Sequence, residues 1–108
     1  MKISERLLAI ISFVKEKSIV ADIGTDHGYI PAYLTENNIS KKVIASDISS
    51  GSLSKAEQYV KQKGLDYKVD TRLGNGLDVI KPYEIDTVII AGMGGLLIKE
   101  IIEENFKK

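Results

Sequence analysis

The chain contains no cysteine and no tryptophan, and it has a single histidine and two prolines. Without thiols there is no disulfide framework and no thiolate metal site, which fits a reducing compartment. With His27 the sole imidazole, a metal centre built from several histidines is excluded too. Net charge is also missing, because 15 Lys and Arg balance 15 Asp and Glu. No global field marks a nucleic-acid or membrane binder, so an anionic partner needs a local patch. The basic residues are scattered as singles and pairs, such as Lys41-Lys42 and Lys107-Lys108, a pattern that reads as solvated surface. Long apolar runs are absent as well: Glu5, Arg6, Lys15 and Lys17 interrupt the N-terminal stretch, unlike a signal peptide or a membrane span. The expected location is the cytoplasm, with no membrane partner.

What is present is ordinary for a globular domain: 44% hydrophobic and 28% charged residues in a chain of 108. That length supports one core, hiding roughly 65% of the unfolded surface. There is no internal repeat, low-complexity tract or interdomain linker.

Ser4 as N-cap and Leu7, Ile10, Ile11 and Val14 at helical spacing predict a helix over 5–16. SIVADI, 18–23, is a short β-branched run ending at a glycine, the mark of a buried strand. Residues 27–37 read as a helix, with Pro31 in the first turn, where its missing N–H has no intrahelical partner to lose. A strand over 42–46 follows, then a helix over 50–64 with Leu53, Ala56 and Val60 on one face and Gly64 at the C-cap. Residues 67–73 predict a third strand, Gly74-Asn75-Gly76 a turn and 77–80 a helical turn before Pro82. IDTVIIA, 85–91, is the most strand-like run, and after Gly92-Met93-Gly94-Gly95 the pattern predicts an amphipathic helix over 96–106. The order implies an α/β fold: a parallel sheet of about four strands with helices on both faces and right-handed crossovers. Ligands of such sheets bind beyond the carboxyl ends of the strands.

The first strand-to-helix turn is Asp22-Ile23-Gly24-Thr25-Asp26-His27-Gly28. Gly24 and Gly28 leave room for a ligand near the backbone and the helix N-terminus. A dinucleotide fingerprint wants glycine where Asp26 stands, and an acid there repels a pyrophosphate but suits a cation. Asp47, with Ile48 beside it, ends the second strand nineteen residues beyond Gly28, where a carboxylate accepts hydrogen bonds from both hydroxyls of a ribose. The Gly74–Gly76 turn would lie beside an adenine, and the turn from Gly92 to Gly95 would border the reacting end. Together these features favour S-adenosylmethionine over NAD. Each has a plainer alternative: tight turns for the glycines, a fixed turn for Asp22, a helix N-cap for Asp47, core packing for Met93, and a strand-edge acid for Asp86.

DIGTDHGYIPAYL, RLGNGLDVI and DTVIIAGMGG resemble the bacterial tRNA (adenine(22)-N1)-methyltransferase family from about Ser4 to the end. The resemblance implies a Rossmann-like class I methyltransferase domain, S-adenosylmethionine as cofactor, and methyl transfer to N1 of an adenine in tRNA. By motif position, Gly24 and Asp26 would hold the methionine portion, Asp47 the ribose, Asn75 with Gly76 the adenine, and Gly92 with Met93 the floor of the transfer site. Asp26 and His27 are the candidates for steadying the charge that develops on the base, with Tyr29 as a stacking surface. The alternative is that Asp26 binds only the cofactor ammonium, His27 caps the helix and Tyr29 packs inside. Asn75 departs from the family turn, where an acid is usual; its amide oxygen still accepts a hydrogen bond from the adenine amino group.

Class I sheets usually have seven strands, so four imply the N-terminal part of an enzyme, residues 1–108 forming a partial cofactor-binding domain without the later strands or the helical tRNA-binding domain. An open sheet edge would then favour a homodimer. The competing readings are a non-enzymatic adenosine-nucleotide-binding or assembly module, and a methyltransferase for another substrate.

Overall fold

Apolar β-branched runs separated by capped amphipathic segments build a single sheet with strand order β3-β2-β1-β4-β5. The computed structural model describes residues 5–25, 27–81, 83–92 and 95–100. In chain order the elements are α1 (Glu5–Ile11), β1 (Ser18–Ile23), α2 (Tyr29–Glu36), β2 (Ser40–Asp47), α3 (Ser50–Gln62), β3 (Val69–Leu73), a 3-10 helix (Gly76–Val79), β4 (Thr87–Gly92) and β5 (Gly95–Glu100). β1 lies between β2 and β4 and is parallel to both, and β3 is parallel to β2. The four parallel strands are those the sequence pattern predicts.

The two faces of the sheet are covered differently. On one, Val20, Val43 and Ile89 pack under Ile11 and Val14 from the N-terminal segment and Leu34 of α2. Ala45 and Val69 continue that face under Ala32 of α2 and Val60 of α3. On the other, Ala21, Ile44 and Val88 pack under Ile80 and Ile85, with Leu77 and Val79 of the 3-10 helix against them. Alternation along each strand sorts these side chains, since successive residues point to opposite faces. All three α-helices therefore pack on one face, and the segment from the 3-10 helix to β4 covers the other.

Two elements differ from expectation. α1 stops at Ile11 rather than 16: the Ser12 hydroxyl bonds back to the Ala9 carbonyl, and the Val14 N–H reaches Ile11 at 2.9 Å in a tighter turn. Such back-bonding competes with helix continuation, yet Val14 still enters the core. The Ser4 cap lies outside the described residues. The expected helix over 96–106 is corrected over its first part. Residues 95–100 form β5, antiparallel to β4, with Gly92 opposite Gly95 and Ile89 opposite Ile98. A short apolar run such as LLI fits either period, and the backbone groups along β4 give it a ladder to join. The sheet thus has five strands, four of them parallel, with an antiparallel edge strand. Asp86 has a structural use here: its carboxylate accepts the Ile19 N–H at 2.8 Å, and its own N–H donates to the Ile19 carbonyl at 2.8 Å.

Candidate functional site

The carboxyl ends of β1 and β2 are joined by the first turn. The Gly24 and Thr25 N–H groups both donate to the Ser46 carbonyl, each at 2.9 Å, and Gly24 has φ 75°. A side chain rarely tolerates that conformation, so glycine here sets the direction in which the chain leaves the sheet. Gly28 is the N-cap of α2 with φ 78° and has no side chain with which to cap it. A Cβ on Gly28 would stand 3.0 Å from the Ala56 Cα and 3.1 Å from its carbonyl oxygen. The space beside Gly28 is thus filled by α3, and its glycine serves the approach of two helices.

Asp22 pairs in register with Ala45, two residues before Asp47, so both acids lie on the helix-bearing face at the carboxyl ends of adjacent strands. Asp22 is fully buried, and neither carboxylate oxygen has a hydrogen-bond partner among the described residues. Burial pushes its carboxyl up to about 7; the Thr25 hydroxyl nearby, outside hydrogen-bonding geometry, pulls it down, and the Asp47 charge pushes it further up. The Thr25 and Ser46 hydroxyls are likewise buried and without a partner. An orphaned buried carboxylate is a costly arrangement for structure alone and a suitable one for a cation-bearing ligand.

Asp47 accepts the Ser49 N–H at 2.9 Å, while the N-cap of α3 is Ser49, whose hydroxyl accepts from Ser52 at 3.2 Å. The capping alternative for Asp47 therefore falls to its neighbour. Ile48 is 73% exposed and Leu73, opposite Asp47 on β3, is 56% exposed. The Gly74 N–H donates to the Asp47 carbonyl at 3.0 Å, which brings Asn75 and Gly76, the latter with φ 59°, against the same end of β2. Gly92 ends β4; Asp26 and Met93 lie outside the described residues.

His27 and Tyr29 go elsewhere. Their rings stack at 5.4 Å and 13°, and Tyr29 meets the edge of Tyr59 on α3 at 4.9 Å. The N-cap position of α2 is Gly28, and His27 and Tyr29 are half-buried at the mouth between α2 and α3. The sequence reading missed Thr25, which differs from an ordinary turn residue only by being buried beside Asp22. It also missed Tyr59, whose one signal is its place beside Ala56 and Val60 on the inner side of α3. Among the described residues no cluster of acids and histidine could hold a metal ion, and no helix is long and apolar enough to cross a membrane.

Comparison with known proteins agrees with this fold. Residues 3–108 match the family described as "Methyltransferase domain". The chain is 40% identical over all its 108 residues to the tRNA (adenine(22)-N(1))-methyltransferase of Bacillus subtilis, of which it covers 45%. A Streptococcus pneumoniae protein crystallised with S-adenosyl-L-methionine superposes with a TM-score of 0.80 at 37% identity, over 86% of this chain and 44% of the other. M. capricolum TrmK, solved with the cofactor product S-adenosyl-homocysteine, gives a TM-score of 0.78 at 39% identity, over 85% of this chain and 42% of the other. The chain therefore spans less than half the length of these relatives. With a family match over residues 3–108 and four parallel strands in its sheet, the chain belongs to the methyltransferase domain family.

Proposed function

We propose that this chain is the cofactor-binding part of an S-adenosylmethionine-dependent methyltransferase that acts on N1 of an adenine in tRNA, in the cytoplasm. The observation that carries the reading is the buried Asp22 carboxylate without a partner, next to Asp47 at the carboxyl end of the sheet. An electropositive methionine portion satisfies the first acid, and a ribose satisfies the second. Asp22, Gly24 and Asp26 would hold the methionine portion, Asp47 the ribose, Ile48 with Asn75 and Gly76 the adenine, and Gly92 with Met93 the transfer end. Gly28 would contribute through the packing that aims α2.

The bound cofactor supplies an activated methyl group for in-line displacement at its sulfonium. The protein's task is to position two reactants and exclude water, so no covalent nucleophile is needed. N1 of adenine is nucleophilic but becomes cationic on methylation. A carboxylate at the mouth steadies that charge, which is the role left to Asp26, while the stacked His27 and Tyr29 rings would hold the unstacked base. The tRNA reading draws support from the named activity of the B. subtilis relative.

Titration calorimetry of this chain with S-adenosylhomocysteine tests the cofactor claim; no heat at millimolar ligand would refute it. The whole protein incubated with unmodified tRNA tests the substrate, because N1-methyladenine blocks pairing and stops primer extension at the modified base. If such a chain self-associates, the outer edge of β3 is the surface to pair. Light scattering that finds only monomer at high concentration would count against a dimer.

A further inference from the structure

The mouth between α2 and α3 holds a recess of about 190 Å³ lined by His27, Tyr29, Lys55, Gln58, Tyr59 and Gln62. At roughly 30 Å³ per water it has room for about six waters, the scale of one planar base. Its walls carry three kinds of chemistry in one place. Tyr29 and Tyr59 meet edge to face at 4.9 Å, with His27 stacked on Tyr29. Gln58 and Gln62, one helical turn apart on α3, offer amide donors and acceptors from exposed positions. Lys55 is exposed and has no ion pair among the described residues, whereas Lys63, 5.7 Å from the centre of the Tyr59 ring, is bridged to Glu36 at 3.3 Å.

The other flank of α3 has the opposite character. The groove there, about 480 Å³, is lined by Glu57, Asp66 and Asp70 against Lys61, and it would repel a phosphate backbone. Charge therefore steers a polyanion to the aromatic flank and away from the β3 flank.

We propose that the recess between α2 and α3 is a nucleotide subsite for the RNA strand next to the target base. One base stacks against Tyr59, the Gln58 and Gln62 amides meet its edge, and Lys55 contacts the adjoining phosphate. Base stacking on aromatic rings and lysine contact with the backbone are the usual means of holding unpaired nucleic acid. The subsite rests on the methyltransferase reading and adds a second contact outside the cofactor site, reached through the His27–Tyr29 stack.

The test uses fluorescence anisotropy with two probes, an unmodified tRNA transcript and a short single-stranded oligoadenylate. Tyr59→Ala is expected to weaken binding of both about tenfold, the scale of one lost stacking contact, and Tyr59→Phe to retain it. Lys55→Ala should weaken binding and reduce the slope of log affinity against log salt by about 0.7, one phosphate contact on a single strand. Calorimetry with S-adenosylhomocysteine runs in parallel and should give the same affinity in every variant. RNA affinity that falls while cofactor affinity holds supports the subsite. If Tyr59→Ala fails to fold, the exposed Lys55→Ala and Gln62→Ala carry the same decision. RNA affinity unchanged in these variants overturns the proposal even where cofactor binding stands, and so does an unsubstituted chain that binds cofactor but neither RNA. Variants that change the oligomeric state in sedimentation, and not RNA affinity, would assign the recess to a second copy and overturn it too. Failure of the unsubstituted chain to bind cofactor would instead strike the reading of Asp22 and Asp47.

Discussion

Arg72 grips Glu84 through two parallel hydrogen bonds, Nη1 to Oε1 at 2.9 Å and Nη2 to Oε2 at 2.7 Å. The same guanidinium takes Asp70 at 2.8 Å and the Val79 carbonyl at 2.7 Å, while Glu84 also accepts the Lys81 N–H at 2.8 Å. One side chain thus ties β3 to both ends of the segment that follows the Asn75–Gly76 turn. The Arg72 hydrogen bonds hold the Glu84 carboxyl down at about 2. Its folded value lies below its unfolded one, so its contribution is present above about 4.5 and is lost as pH falls toward 2. Because the pair retains contact with water, Glu84→Gln is expected to cost only about 1–2 kcal/mol at pH 7. Urea unfolding at pH 7 and pH 3 checks this: the difference between the two proteins should shrink at the lower pH, and an equal difference at both would refute the clamp.

Asp22 titrates in the opposite sense. With its folded value at about 7 and its ordinary value at 3.8, the buried carboxyl favours folding below about 4, and that contribution is lost as pH rises toward 7. Asp22→Asn should flatten the decline and leave the free chain more stable at pH 8 by about 2–4 kcal/mol, while weakening cofactor binding. A variant less stable than the parent at pH 8 would mean that the carboxylate has a structural partner.

The same carboxyl links cofactor binding to protons. A ligand ammonium beside Asp22 favours its ionised form, so binding of S-adenosylhomocysteine, which carries one, should release part of a proton near pH 6.5, as expected for a group raised to about 7. Calorimetry in buffers of different ionisation enthalpy measures that release. Identical heats in all buffers would show that Asp22 does not change state.

Asp47→Ala is expected to reduce cofactor affinity about 10–100-fold, the scale of lost charge-assisted hydrogen bonds. Asp47→Asn keeps an oxygen for the Ser49 N–H, now bonded at 2.9 Å, and separates ribose recognition from loop support. Equal affinities in Asp47→Ala and the parent would remove the ribose role.

Gly28→Ala meets two penalties, a left-handed φ of 78° and a Cβ 3.0 Å from the Ala56 Cα. The expected loss is about 2–4 kcal/mol of folding stability. Guanidinium unfolding checks it, and a loss below about 0.5 kcal/mol would show that α2 and α3 separate easily, contrary to their packing.

The parallel strands were legible because buried β-branched runs such as SIVADI and DTVII leave one reading once glycine turns bound them. Asp47 was legible for the same reason, an acid closing an apolar strand. The end of the chain was ambiguous: LLIKE satisfies either period, and only the strand beside it selects the extended form over 95–100. The length of α1 depended on one hydroxyl, Ser12, bonding back to Ala9.

For the site, local sequence determined that two acids stand at strand ends near turns of glycine. Which side chains share a place was decided by the fold. The register of β1 against β2 puts Asp22 and Asp47 on one face, and burial, with the Asp47 charge adding to it, pushes the Asp22 carboxyl up to about 7. The approach of α3 to Gly28 fills the space that the glycine opens, and the same approach turns Tyr59 toward Tyr29. Pattern along the chain encodes which elements form, because propensity and periodicity are local. Charge state, enclosure and the meeting of residues thirty positions apart belong to the tertiary structure, because desolvation and contact arise only when those elements pack.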